Sequence, residues 1–137
     1  MTATVDIFKF EKNVETFDAG QAIFSAGDEG HCMYVVQAGE VDVFVNGWLI
    51  ETVGPGGIFG EMALIDRSPR SATLIAHTDC RLVPIDETRF MQHVHRTPFF
   101  ALQVMRIMTA RLRRRMTTTV DDQEVVDDQE VVDDQEV

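Results

Sequence analysis

One stretch of the chain gathers residue types suited to holding a charged ligand: Gly54-Pro55-Gly56-Gly57-Ile58-Phe59-Gly60-Glu61-Met62-Ala63-Leu64-Ile65-Asp66-Arg67-Ser68-Pro69-Arg70-Ser71-Ala72-Thr73. Its glycines let the backbone approach a ligand closely and take positive φ. A short helical turn at Glu61–Ile65 directs backbone N–H groups from its N-terminus towards negative charge. Arg70, set between Pro69 and Ser71-Ala72, offers a rigid fork of donors matched to phosphate oxygens. Glu61, nine residues upstream, accepts from a hydroxyl but repels a phosphate. One carboxylate and one arginine in a glycine-rich turn therefore point to a ligand with both a sugar hydroxyl and a phosphodiester. A lone Glu or Arg on a β-protein is ordinarily a solvated surface charge. Asp66 and Arg67 read as that, exposed turn residues.

The elements that must position this segment are mostly strands. From Val14 to Ile85 short β-like runs alternate with turn signals: Val14–Phe17, Ala22–Phe24, Met33–Gln37, Val41–Val45, Leu49–Val53, Thr73–Ala76 and Arg81–Ile85. Asn46-Gly47 between two such runs is a strong hairpin signal, and Val41, Val43 and Val45 alternate onto one face. Many short strands at close spacing predict a mainly β fold with flanking helices, a jelly-roll-like β-roll or barrel followed by two C-terminal helices. Asp86 caps the first helix, Glu87–Arg96. Thr97-Pro98 separates it from a second that runs from Phe99 to about Met116, with Leu102, Met105 and Leu112 along an apolar stripe and a basic end at Arg111–Arg115. Ahead of the strands, residues 1–13 with Val5, Ile7, Phe8 and Phe10 read as a short helix or apolar arm.

Phe59-Gly-Glu-Met-Ala-Leu-Ile-x-x-x-Pro-Arg-Ser-Ala-Thr73 resembles the phosphate-binding cassette of the cyclic-nucleotide-binding family, which includes catabolite activator protein and the regulatory subunits of protein kinase A. The resemblance extends over residues 14–116, with the β-roll at 14–85 and the helices at 86–116. It implies that Glu61 accepts from the ribose 2′-hydroxyl and that Arg70 pairs with the exocyclic phosphate oxygens. Gly60, Met62 and Ala63 then present backbone groups near ribose and phosphate, while Ser71 and Ala72 add donors to the phosphate. Val43 and Ile50 resemble apolar walls of the pocket, with Phe59 and Thr73 beside them; for Val43 and Ile50 a plain core role is an equal reading. The family's last helix is a lid over the base, which makes Arg111 a candidate there. Cyclic AMP is favoured over cyclic GMP by a narrow margin, since a hydroxyl at Ser71 suits either base. The function so implied is that of a non-enzymatic, stand-alone regulatory sensor. It reports ligand through its final helix, to a second copy of itself or to a separate effector.

Other classes fit less well. A degenerate β-roll that binds a protein partner without nucleotide is the first alternative, and the presence of both Glu61 and Arg70 argues against it. A cupin-type metalloenzyme needs clustered ligands, whereas among His31, His77, His93 and His95 only the last two are close, and at i, i+2 on a helix they point apart. The expectation is no metal and no catalytic residue. No helix-turn-helix region follows Arg115, so a DNA reader is not expected. No apolar run approaches the roughly 18 residues of a membrane span, and the N-terminus has no secretory h-region. Cys32 and Cys80 fit neither a metal spacing nor a disulfide framework, which suits a reducing, cytoplasmic setting. The formal charge of −11 is uneven: three copies of Val-Asp-Asp-Gln-Glu-Val at 120–125, 126–131 and 132–137 hold nine of the 23 acidic residues and no base. The body is thus near neutral, and residues 117–137 read as a solvated acidic tail.

Overall fold

The chain divides into two compact units, Met1–Ile107 and Met108–Val137, and the computed structural model describes residues 4–123. In the first unit the strands are β1 (Glu15–Phe17), β2 (Ala22–Phe24), β3 (Cys32–Ala38), β4 (Val41–Val45), β5 (Trp48–Val53), β6 (Ile58–Phe59), β7 (Thr73–Ala76) and β8 (Cys80–Asp86). They form two four-stranded antiparallel sheets, ordered β1-β8-β3-β6 and β2-β7-β4-β5. The helices are α1 (Met62–Ile65), α2 (Glu87–Arg96) and α3 (Phe99–Gln123), the last of which continues into the second unit. The mostly β roll with C-terminal helices is the architecture that the strand pattern predicts.

Period-2 alternation builds the core between the sheets. Val36, Phe59, Cys80 and Leu82 from the first sheet meet Val41, Val43, Val53, Ala72, Leu74 and Ala76 at or beside the second, and Phe17, Ile23, Phe24, Tyr34 and Val45 pack against them. The alternate residues of β3 and β8, including Met33, Val35, Val83 and Ile85, are also fully buried. That sheet is therefore covered on both faces. On its outer side α2 packs on β8. Phe8, Phe90 and His93 gather their rings around the buried Phe100. Among the described residues, 4–13 form an arm with turns at Ile7–Phe10 and no helix. Val5 N–H donates to the Gly56 carbonyl at 2.7 Å, and the Gln37 amide donates to the Phe8 carbonyl at 3.0 Å.

Local signals account for most boundaries. Asn46 and Gly47 both take positive φ, 53° and 83°, the requirement of a type I′ turn. Asp86 caps α2 by accepting from the Arg89 N–H at 2.8 Å. Two elements differ from expectation. Ile58–Phe59 is a short strand paired with Tyr34 and Val35, although two residues carry no readable periodicity. α3 runs past Met116 to Gln123, because neither glycine nor proline follows Met116 to stop it. The rest of the acidic repeat lies outside the described residues.

Candidate functional site

The segment from β6 to β7 forms a compact loop around α1. Gly60 follows β6 at φ +80°, a conformation that favours glycine. Glu61 occupies the N-cap position of α1 with a helical backbone. Arg67 turns left-handed just after α1, and its guanidinium meets Glu87 at 3.2 Å, with both side chains exposed. Such a pair contributes little stability. The Ser68 hydroxyl and N–H both donate to the Asp66 carboxylate, bracing the return of the chain. At Arg70 that return is fastened to the β2–β3 turn: the Arg70 N–H donates to the Asp28 carbonyl and its carbonyl accepts from the Gly27 N–H, both at 2.8 Å.

Arg70 and Glu61 are then drawn inside. Their exposures are 8% and 7%, and among the described residues they are the charged side chains that are buried. Taking a charge out of water is costly without compensation, and such arrangements cluster at functional sites. The Arg70 guanidinium lies over the Phe24 ring, with Cζ 4.0 Å from its centroid, and Nη1 donates to the Gly60 carbonyl at 3.3 Å. Nε is buried and makes no hydrogen bond within the protein. A buried donor left without an acceptor costs about 1–3 kcal/mol. A ligand oxygen is the acceptor it fits, and a phosphate supplies one with charge to match.

The remaining predicted residues are spread over the loop, the core, a bulge and α3. Ala63 and Ala72 are buried, whereas Met62 and Ser71 are exposed beside them. Phe59 and Val43 belong to the core between the sheets, and the Thr73 hydroxyl accepts from the Ala26 N–H at 3.0 Å, tying β7 to the β2–β3 turn. Ile50 is the extra residue of a bulge, since Val43 faces Glu51 while Phe44 faces Leu49, and it is 40% exposed. Arg111 lies on α3 within the second unit. Close to Arg70, burial first and Cys32 second push the Tyr34 phenol well above its ordinary value, so it stays protonated. Sequence reasoning passed over Phe24, Asp28 and Gly30; Gly27-Asp28-Glu29-Gly30 was legible as a turn, but not as a neighbour of position 70. A groove of about 430 Å³ also adjoins Ala63 and Pro69. Its lining includes Glu29, His31, Arg67 and Glu87 but neither Glu61 nor Arg70, and Arg67 there is already paired with Glu87.

The β-roll thus buries an arginine and a glutamate within one loop, residue types chemically suited to a phosphate and a hydroxyl. The family described as cyclic nucleotide-binding domain matches residues 14–97, and the chain belongs to that family. Over 71 residues it is 46% identical to a cAMP-dependent protein kinase regulatory subunit of Eremothecium gossypii; the match covers 52% of this chain and 16% of that protein. The structure is similar to catabolite activator protein of Thermus thermophilus, with TM-score 0.68 and 29% identity over 78% of this chain and 54% of that one. It is also similar to the EAL enzyme Bd1971 in a cGMP-bound form (TM-score 0.57, 32% identity, 82% of this chain and 31% of that one) and a cAMP-bound form (0.56, 30%, 82% and 32%). The chain thus spans a small part of the kinase subunit and about half of the activator protein. Among the described residues no helix is long and apolar enough to cross a membrane, and no group of His, Cys, Asp and Glu is arranged to hold a metal ion.

Proposed function

We propose that this domain is a cyclic-nucleotide sensor that binds without turning its ligand over, with cyclic AMP preferred to cyclic GMP. Glu61 accepts from the ribose 2′-hydroxyl, and Arg70 pairs with the exocyclic phosphate oxygens through the edge that carries Nε. Backbone groups of Gly60, Met62, Ala63, Ser71 and Ala72 complete the cradle. The observation that carries this reading is the burial of Glu61 and Arg70, and of no other charged side chain among the described residues, within one loop. Preference for cyclic AMP is supported by the likeness to a cAMP-dependent kinase subunit. The margin is narrow, because Bd1971 is similar in both its cGMP-bound and cAMP-bound forms. Free thiols at Cys32 and Cys80 suit a reducing, cytoplasmic setting. Ligand state passes to α2 and α3, and through α3 to a second copy or an effector.

Calorimetric titration with both nucleotides tests this reading. The expected result is one site per chain, tighter for cyclic AMP than for cyclic GMP. Arg70→Ala removes a charge-assisted bidentate contact worth roughly 1.5–3 kcal/mol, so affinity falls about ten- to two-hundredfold while the fold persists. Undiminished affinity in a folded Arg70→Ala protein contradicts the role of Arg70.

A further inference from the structure

We propose that Phe24 and Gly30 are positioning residues for Arg70: the Phe24 ring is the seat of its guanidinium, and Gly30 leaves open the space that the guanidinium fills. This rests on the reading that Arg70 holds the ligand phosphate. Three contacts fix the side chain. The Phe24 ring lies under Cζ at 4.0 Å, the Gly60 carbonyl takes Nη1 at 3.3 Å, and Gly30 closes in so tightly that a Cβ there would overlap Cζ and Nε and lie 2.8 Å from Nη2. Ring stacking and the Nη1 bond fix the plane and the roll of the guanidinium, which leaves the buried Nε without a protein acceptor. An arginine held this way meets a phosphate edge-on, with less side-chain freedom to lose on binding. Phe24 is itself held by Phe59 and Tyr34, at ring distances of 6.0 and 6.3 Å. The seat is therefore part of the core between the sheets and not a mobile surface contact.

Gly30 separates positioning from folding. Its φ lies outside the left-handed region and the atoms a Cβ would strike belong to the Arg70 side chain. Gly30→Ala therefore keeps the backbone and displaces the guanidinium. The test is a double-mutant cycle on cyclic AMP affinity, with thermal melting as the check on folding. Gly30→Ala and Phe24→Leu are each expected to weaken binding by about tenfold or more in the parent protein, and by no more than about twofold when Arg70 is already alanine. Phe24→Tyr, which keeps a ring face, restores most of the loss. If a folded Gly30→Ala protein binds as tightly as the parent, the positioning role is overturned. Losses that simply add to that of Arg70→Ala overturn it as well and leave the nucleotide reading standing. An Arg70→Ala protein that binds like the parent overturns both.

Discussion

At the scale of single residues, the proposed reading has Glu61 and Arg70 divide one ligand between two opposite charges, and each has a separate test. Glu61→Gln keeps the shape and removes the anionic acceptor. Cyclic AMP then binds about ten- to two-hundredfold more weakly, the range of a charged hydrogen bond. The 2′-deoxy analogue binds the parent and the variant with nearly the same affinity, because it lacks the hydroxyl that Glu61 serves. A large loss for the deoxy analogue would move Glu61 out of that role. Both residues were legible in the sequence because they lie in one loop, and loop spacing survives in the linear order. Phe24 and Gly30 were not. They reach Arg70 only through the pairing of β2 with β7, which sets Phe24 opposite Leu74, and through the hydrogen bonds of Gly27 and Asp28 to the Arg70 backbone. Those contacts span some forty residues of chain and leave no periodic trace.

At the scale of elements, signals local to a turn or cap were the readable ones. The Asn46-Gly47 hairpin and the Asp86 cap each need only a few neighbouring side chains, whereas Ile58–Phe59 becomes a strand solely because β3 lies beside it. A Cβ at Gly47 meets nothing within 4 Å, so its φ of +83° is the whole cost of substitution. Gly47→Ala is expected to lower stability by about 1–2 kcal/mol with the denaturant slope unchanged, as read by urea unfolding. His93 on α2 gives a second test. Its ring packs on Phe8 at 4.7 Å, and burial, then Arg89 and Arg96, pull its pKa below the ordinary 6.5, with Glu11 opposing. The folded state therefore favours neutral imidazole, and the stabilisation so gained is present above pH 6.5 and lost as pH falls through the lower folded value. The melting temperature of the parent minus that of His93→Gln should shrink as the solution is acidified from neutrality. A constant difference would show that packing leaves the His93 equilibrium unshifted, and a growing one that the fold favours its charged form; either contradicts this reading.

At the scale of the whole molecule, the two sheets enclose an apolar core, and among the described residues Glu61 and Arg70 are the charges buried, both in one loop. A protein selected for stability alone gains little from that arrangement, since well-packed apolar groups of similar volume are often as good or better. A ligand that binds only the folded form recovers the cost. Cyclic AMP at about a hundred times its dissociation constant should add about 2.7 kcal/mol of stability, seen as a higher melting temperature. The architecture was readable from strand and turn patterning, while the length of α3 was not, because a basic run followed by threonines carries no stop signal. The most direct measurement is a calorimetric titration of the folded parent and the folded Arg70→Ala protein with cyclic AMP. The expected result is a single saturable site in the parent and an affinity lower by about ten- to two-hundredfold in the variant. Heats that show no binding of either cyclic nucleotide to the folded parent, or equal affinity in the two proteins, would contradict it.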